Sequence, residues 1–235
     1  MNSFQNTLLR HLDADTIQRL SLRRVEFELL HELEFPGKTI THLFFVEEGV
    51  ASMTATFLDG SQVEVTMFGF ESVVGVSALM GTRRSLNRVY TQIPGFGYSC
   101  TIAAAQREFN LAGKFQDLTL RYVHAQLLQA LQSVGCNAKH RMEERLARWL
   151  LICADRAQTS SLHLSQELLS SMLGSTRPSV TLAAGILRQE GLIDYVRGVV
   201  NILDSPRLEK RSCECYGVIK QHLDNYAEFD TAFLR

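Results

Sequence analysis

Proline is scarce in this chain: four residues in 235, with none between Pro94 and Pro178. Proline removes a backbone N–H and clashes with the preceding helical turn, so the middle of the chain is open to long helices. No apolar run approaches the ~18 residues a membrane-spanning helix needs, and no membrane partner is expected. The start, M-N-S-F-Q-N-T-L-L-R-H-L-D, lacks the basic-then-apolar order of a secretory signal, which makes a cytoplasmic location the expectation. Charge of one sign is also missing: 24 Lys and Arg stand against 25 Asp and Glu, a formal net of −1. That total does not announce a nucleic-acid partner. Neither an internal repeat nor a low-complexity segment is visible.

Enzymatic signatures are lacking too. There is no G-x-S-x-G, H-E-x-x-H or phosphate-loop pattern. The strand-rich region described below offers only His31 and His42, with no H-x-H pair. A metal enzyme on a small barrel would want clustered histidines and a carboxylate. The chain is therefore read as no enzyme. The five cysteines are an odd number and form no disulfide-like framework. Cys100, Cys136 and Cys153 sit among apolar residues and read as packing. Cys213 and Cys215 form a C-x-C pair beside a predicted helix. No further ligands are grouped nearby in the sequence, so no metal and no cofactor are assigned.

What is present is most informative from Leu164 to Ile193. Ser165 is a good N-cap, and Leu168, Leu169, Met172 and Leu173 recur at helical spacing. Gly174 follows, where a left-handed residue ends a helix at least cost. Ser175 or Thr176 caps a second helix, and Pro178 falls in its first turn, where a missing N–H costs nothing. Val180, Ala184 and Leu187 face inward. Arg177, Ser179, Thr181, Leu182 and Arg188 are left outside or to the sides. Beyond them, Leu192 to Val196 and Val199 to Leu203 read as strands around Arg197-Gly198.

This is the layout of a helix-turn-helix followed by a wing, and it makes double-stranded DNA the expected partner. The N-terminal residues of such a helix reach base edges in the major groove. Arg177 suits bidentate contact with guanine, Ser175, Thr176 and Ser179 suit phosphates, and Leu182 suits a thymine methyl. Pro178 and Thr181 share that surface, and Arg197 at the wing tip lies near the backbone. The charge distribution agrees. Residues 138–211 carry 11 basic against 8 acidic side chains, whereas residues 1–137 carry 11 against 13 and residues 212–235 carry 2 against 4. The excess is small, so affinity should lean on dimerisation and local placement of charge.

Elsewhere the texture changes twice. Residues 4–22 look helical, with Leu8, Leu9, Leu12, Ile17 and Leu20 as the apolar set. From Val25 to about Ile102 short runs alternate with turns at Phe35-Pro36-Gly37 and Leu58-Asp59-Gly60. Leu43 to Val46, Val50 to Phe57, Gln62 to Met67 and Val89 to Ile93 read as strands, and their spacing suggests a barrel or sandwich. From Ala103 the pattern is helical. Leu120, Val123, Leu127, Leu131, Val134 and Ala138 form one stripe. Leu118, Tyr122, Ala125 and Leu128 form a second. A helix apolar on two sides must be covered on two sides, by the barrel and by the same helix of a second chain, unless one chain buries it wholly. Gly135 and Asn137 suggest a hinge. Met142 to Ala154 forms another amphipathic helix with Trp149 in its core, and Leu208 to Phe233 reads as one or two helices.

Strand barrel, long helix and winged helix-turn-helix, in that order, resemble the CRP/FNR family of bacterial transcription regulators. The stretch Phe44-Phe45-Val46-Glu47-Glu48-Gly49-Val50 also resembles that family's barrel strands. The resemblance implies an α+β fold: an N-terminal β-roll of the cyclic-nucleotide-binding jelly-roll type (1–103), a dimerisation helix (104–137), a winged helix-turn-helix (138–205) and a C-terminal helical extension (206–235). It implies a homodimer, a small-molecule effector in the barrel, and RNA polymerase as a further partner. Ungapped matching puts Arg177 at the family's first base-contacting arginine. Pro178 replaces a usual glutamate and Leu182 a usual arginine, so the DNA-reading role carries over without the recognised sequence.

Cyclic-nucleotide members bind their effector through a Gly-Glu pair and a later Arg-Ser or Arg-Thr. Gly75, Arg84 and Ser85 match that pattern. Val76 stands in the glutamate position, and Ala130 and Leu131 stand where polar residues would meet the base. An unpaired ribose hydroxyl against Val76 would cost about 1–3 kcal/mol, which argues against binding in the usual cyclic-AMP manner. No cysteine precedes Cys100, unlike the iron–sulfur members. A cyclic-nucleotide-responsive regulator, a barrel-based metal enzyme, and a ligand-free barrel serving interaction or structure stay open as alternatives.

Overall fold

The computed structural model describes residues 4–228. Two short helices open it, α1 (Thr7–Arg10) and α2 (Ala14–Leu20). The expected helical stretch 4–22 is thus broken, because Asp13 caps α2 by accepting the Thr16 N–H. Six antiparallel strands follow: β1 (Arg23–Phe27), β2 (Glu32–Glu34), β3 (His42–Thr56), β4 (Gln62–Phe68), β5 (Val73–Val74) and β6 (Arg88–Thr101). Their main order is β1-β6-β3-β4, with β2 also on β6 and β5 also on β3. A one-turn 3₁₀ helix, Val76–Met80, sits between β5 and β6.

Two strands are longer than the sequence runs suggest. β3 joins Leu43–Val46 to Val50–Thr56, and β6 runs on through Pro94. The β3–β6 register shifts between Val46 and Ala51, and such irregularities bend a strand pair. Pro94 lies opposite this irregular stretch, where its missing ladder donor is tolerated. Gly49 there has φ +92, and a Cβ on Gly95 would come within 2.1 Å of the Glu48 carbonyl oxygen. The bend therefore requires glycine. β1 and β2 escape the hydrophobic pattern because they are short and partly charged, and β5 because it is only two residues long.

Helices α3 (Ile102–Phe109), α4 (Lys114–Lys139) and α5 (Met142–Ala157) follow. Residues 104–137 hold two helices, with Ala112 at φ 53 between them. α4 passes through Gly135 and Asn137 unbroken and ends at His140, whose extended backbone makes the corner into α5. One apolar stripe of α4 is buried: Leu118, Tyr122 and Ala125 join the main core with Phe45, Met67 and Trp149. The other is open, with Leu127, Leu131 and Val134 between 55% and 69% exposed.

The last unit comprises β7 (Ser161–His163), α6 (Gln166–Met172), α7 (Arg177–Gln189), β8 (Ile193–Val196), β9 (Val199–Ile202), α8 (Ser205–Arg211) and α9 (Cys215–Asn225). β7, β9 and β8 form a three-stranded sheet. The part of the predicted Leu208–Phe233 helical segment beyond residue 228 lies outside the described residues. Among those residues, no helix is long and apolar enough to cross a membrane.

Candidate nucleic-acid interface

The interface is built from the caps outward. Ser165 Oγ accepts the Leu168 N–H at 3.0 Å and starts α6. Gly174 at φ +56 turns the chain, and Thr176 Oγ1 accepts the Ser179 N–H to start α7. Thr176, rather than Ser175, is the cap. Val180, Ala183, Ala184 and Leu187 are buried on the inner face of α7 and join the core. Thr176, Arg177, Pro178, Thr181 and Leu182 are exposed, and Ser175 and Ser179 are half-buried. Thr181 Oγ1 donates to Gln166 Oε1 at 3.1 Å, locking α7 to α6.

This end of α7 is suited to an anionic partner. A helix N-terminus presents unpaired N–H groups and positive dipole charge, and Arg177 adds a formal charge beside them. The wing follows from local geometry. Arg197 and Gly198 both have positive φ, 52 and 80, as the tightest two-residue hairpin turns require. The turn holds Arg197 exposed at the tip. Arg188 Nε pairs with Asp194 Oδ1 at 3.3 Å, fixing α7 to strand β8. The sequence-predicted DNA-facing residues of α7 are thus brought onto one exposed surface, with the wing braced against the same helix.

Behind that surface the unit rests on the six-stranded antiparallel sheet. Ser171 Oγ donates to the Gln62 carbonyl at 2.8 Å. The Gly174 turn lies against the Val63 methyls. Within the unit itself, Arg145 of α5 donates to the Leu173 carbonyl at 2.5 Å and holds the end of α6 in place. This seating of α6 on β4 has no signature in the sequence, because Ser171 and Gly174 lie more than a hundred residues from Gln62 and Val63.

Residues 144–211 match the Crp-like helix-turn-helix domain. The global nitrogen regulator of Synechococcus elongatus is 27% identical over 215 residues, 87% of this chain and 95% of that protein. The chain thus carries a Crp-like helix-turn-helix domain and is similar over most of its length to regulators of the CRP/FNR family. Two solved structures share its fold. FixK2 from Bradyrhizobium japonicum has a TM-score of 0.70 at 15% identity, covering 82% of this chain and 98% of that one. The Xanthomonas campestris global regulator CLP, described as c-di-GMP responsive, has a TM-score of 0.65 at 19% identity, covering 82% of this chain and all of that one. The matched domain is a DNA-binding helix-turn-helix, and the chain's homologues are transcription regulators of the CRP/FNR type.

The residues expected to meet an effector have partners within the chain or lie apart from one another. Gly75 has φ +96, and any Cβ would come within 2.6 Å of the His42 carbonyl oxygen. Ser85 is buried and donates through Oγ to Glu34 Oε2 at 2.5 Å. The Gly75 N–H is also engaged by the Glu34 carboxylate. Burial pushes the Glu34 carboxyl above its ordinary range, opposed by these two donors. Gly75 and Ser85 thus converge on an internal carboxylate. Arg84 is exposed, and Val76 packs partly against the main core. Ala130 is half-buried on α4, and Leu131 is 59% exposed. Glu34 was invisible as a partner because it lies far from Ser85 in sequence.

Among the cysteines, Cys100 and Cys153 belong to the main core as expected, and burial pushes the Cys100 thiol up to about 12. Cys136 departs from the packing expectation: it lies with Cys213 and Cys215 in a group of its own.

Proposed function

We propose that this chain is a CRP/FNR-type regulator that acts as a homodimer and reads a near-palindromic duplex with two copies of α7. The carrying observation is the exposed N-terminal surface of α7, with Arg177 at its head and the Arg197 wing beside it. Arg177 meets a guanine edge, Leu182 a thymine methyl, and Ser175, Thr176, Pro178, Ser179 and Thr181 line the groove and its phosphates. Arg197 meets the backbone. The open stripe Leu127, Leu131 and Val134 supports α4 as the seam between two protomers, since a stripe of this kind calls for a partner helix. Dimer symmetry then sets half-sites about 34 Å apart.

A cytoplasmic location and contact with RNA polymerase go with this reading. An effector, if it enters the barrel, is not held in the usual cyclic-AMP manner. Gly75 and Ser85 already serve Glu34, and an incoming phosphate would have to displace that carboxylate. Thermal-shift measurements with cyclic nucleotides and other anionic metabolites test this, because a ligand of the folded state raises its melting temperature. Selection of bound duplexes from a random pool tests the main proposal. An inverted repeat is the expected product, and no enrichment at low salt contradicts it.

A further inference from the structure

At the corner between α4 and α5, four ligand-bearing side chains from distant parts of the chain come together: Cys136, His140, Cys213 and Cys215. Their ligand atoms all lie within 4.8 Å of one another. Cys136 and His140 stand one turn apart at the end of α4. Cys213 lies in the link between α8 and α9, and Cys215 begins α9. We propose that these four residues form a Cys₃His site for a single thiophilic divalent ion of the zinc class.

The distances fit one ion. Zinc–sulfur bonds of about 2.3 Å and zinc–nitrogen bonds of about 2.0–2.1 Å in a tetrahedron give ligand–ligand edges of roughly 3.6–3.8 Å. Cys136 Sγ and Cys213 Sγ are 3.5 Å apart, and Cys215 Sγ and His140 Nδ1 are 3.6 Å apart. A disulfide would need about 2.05 Å between sulfurs.

The surroundings fit as well. Glu214 Oε2 lies 3.2 Å from His140 Nε2. A carboxylate on the outer ring nitrogen is the usual support of a metal-bound histidine, and it leaves Nδ1 as a lone pair facing the thiols. Gln132 Nε2 donates to Cys215 Sγ at 3.1 Å, a bond that favours a thiolate. The three cysteines are nine-tenths or more buried yet separate from the apolar core. Arg148 on α5 acts on Cys136 electrostatically. It is 6% exposed, and its Nε has no hydrogen-bond partner among the described residues. A divalent ion with three thiolates and a neutral histidine carries one net negative charge, which this buried guanidinium would meet. The thiol protons leave to solvent as the ion binds. The bound ion clamps the end of α4 to the segment that follows the Crp-like domain.

The test uses the full chain, purified under reducing conditions. Elemental analysis should find one zinc per chain. Cobalt loaded in its place should give the visible bands of a tetrahedral ion and a thiolate-to-cobalt charge-transfer band. Cys215→Ser and the double variant Cys136→Ser/Cys213→Ser should lose those bands, while Cys100→Ser keeps them. Zinc should also raise the melting temperature of the wild-type chain and protect Cys136, Cys213 and Cys215 from alkylation. Absence of cobalt bands in the wild-type chain, bands unchanged in both cluster variants, or a Cys136–Cys213 disulfide that excludes metal under these conditions would each overturn the proposal. The wild-type spectrum decides the matter even where a variant fails to fold.

Discussion

Trp149 donates its indole N–H to Glu64 Oε1 across 2.7 Å, joining α5 at the base of the DNA-binding unit to strand β4 of the N-terminal sheet. Glu64 also accepts from Ser52 Oγ at 2.7 Å. Burial pushes its carboxyl above the ordinary 4.5, opposed by those two hydrogen bonds and by Arg156 and Arg148. With a raised folded value, the unfolded chain releases this proton first as pH rises. The site's contribution to stability is therefore complete below the ordinary value and lost as pH climbs through the folded one. Glu64→Gln has no such titration. The stability of wild type minus that of Glu64→Gln should fall with rising pH across the acid range and then level off. Thermal melts of both proteins at a series of pH values measure it, and a difference independent of pH would contradict it.

Arg156 makes a second tie. Its Nε lies 2.8 Å from Glu71 Oε1, both side chains 4% exposed, and its Nη2 donates to Gln129 on α4 at 3.1 Å. Removing one member of a buried pair leaves an uncompensated charge. Arg156→Ala should destabilise the protein by about 3–5 kcal/mol, measured by urea unfolding. Glu71→Gln/Arg156→Met should recover part of that loss, and a single variant as stable as wild type would refute the assignment.

The outer stripe of α4 carries a separate prediction. Leu131 is 59% and Val134 is 69% exposed. Leu131→Glu would set two like charges against each other at a two-fold seam. The variant should be monomeric by light scattering at concentrations where the wild type is dimeric. Its affinity for a palindromic duplex should drop to that of a single half-site. A variant that still dimerises would move the seam elsewhere.

Local chemistry made the DNA-binding unit legible in the sequence. Ser165, Gly174, Thr176, Pro178 and Arg197-Gly198 each act within a few residues of their own position, so caps and turns could be read directly. The open Leu127–Leu131–Val134 stripe was legible for the same reason, since helical periodicity is local. What escaped was long-range. Glu34 meets Ser85, Glu64 meets Trp149, and Cys136 meets Cys213 only after the chain has folded. The hinge expected at Gly135 and Asn137 fell at His140, because two weak helix formers do not outweigh a long helix packed along one face against the core. β7 is three residues with one buried side chain, too short for periodicity to register.

If Arg177 reads a base edge in each half-site, its removal must be felt at one base position and not at the others. Wild type and Arg177→Ala are titrated against a selected duplex and every single-base variant of its half-site. Arg177→Ala should lose about 1–3 kcal/mol on the parent duplex, with discrimination relaxed at one position per half-site and retained at the others. A loss of equal size on every sequence, with a smaller dependence on salt, would make Arg177 a phosphate contact and contradict the account.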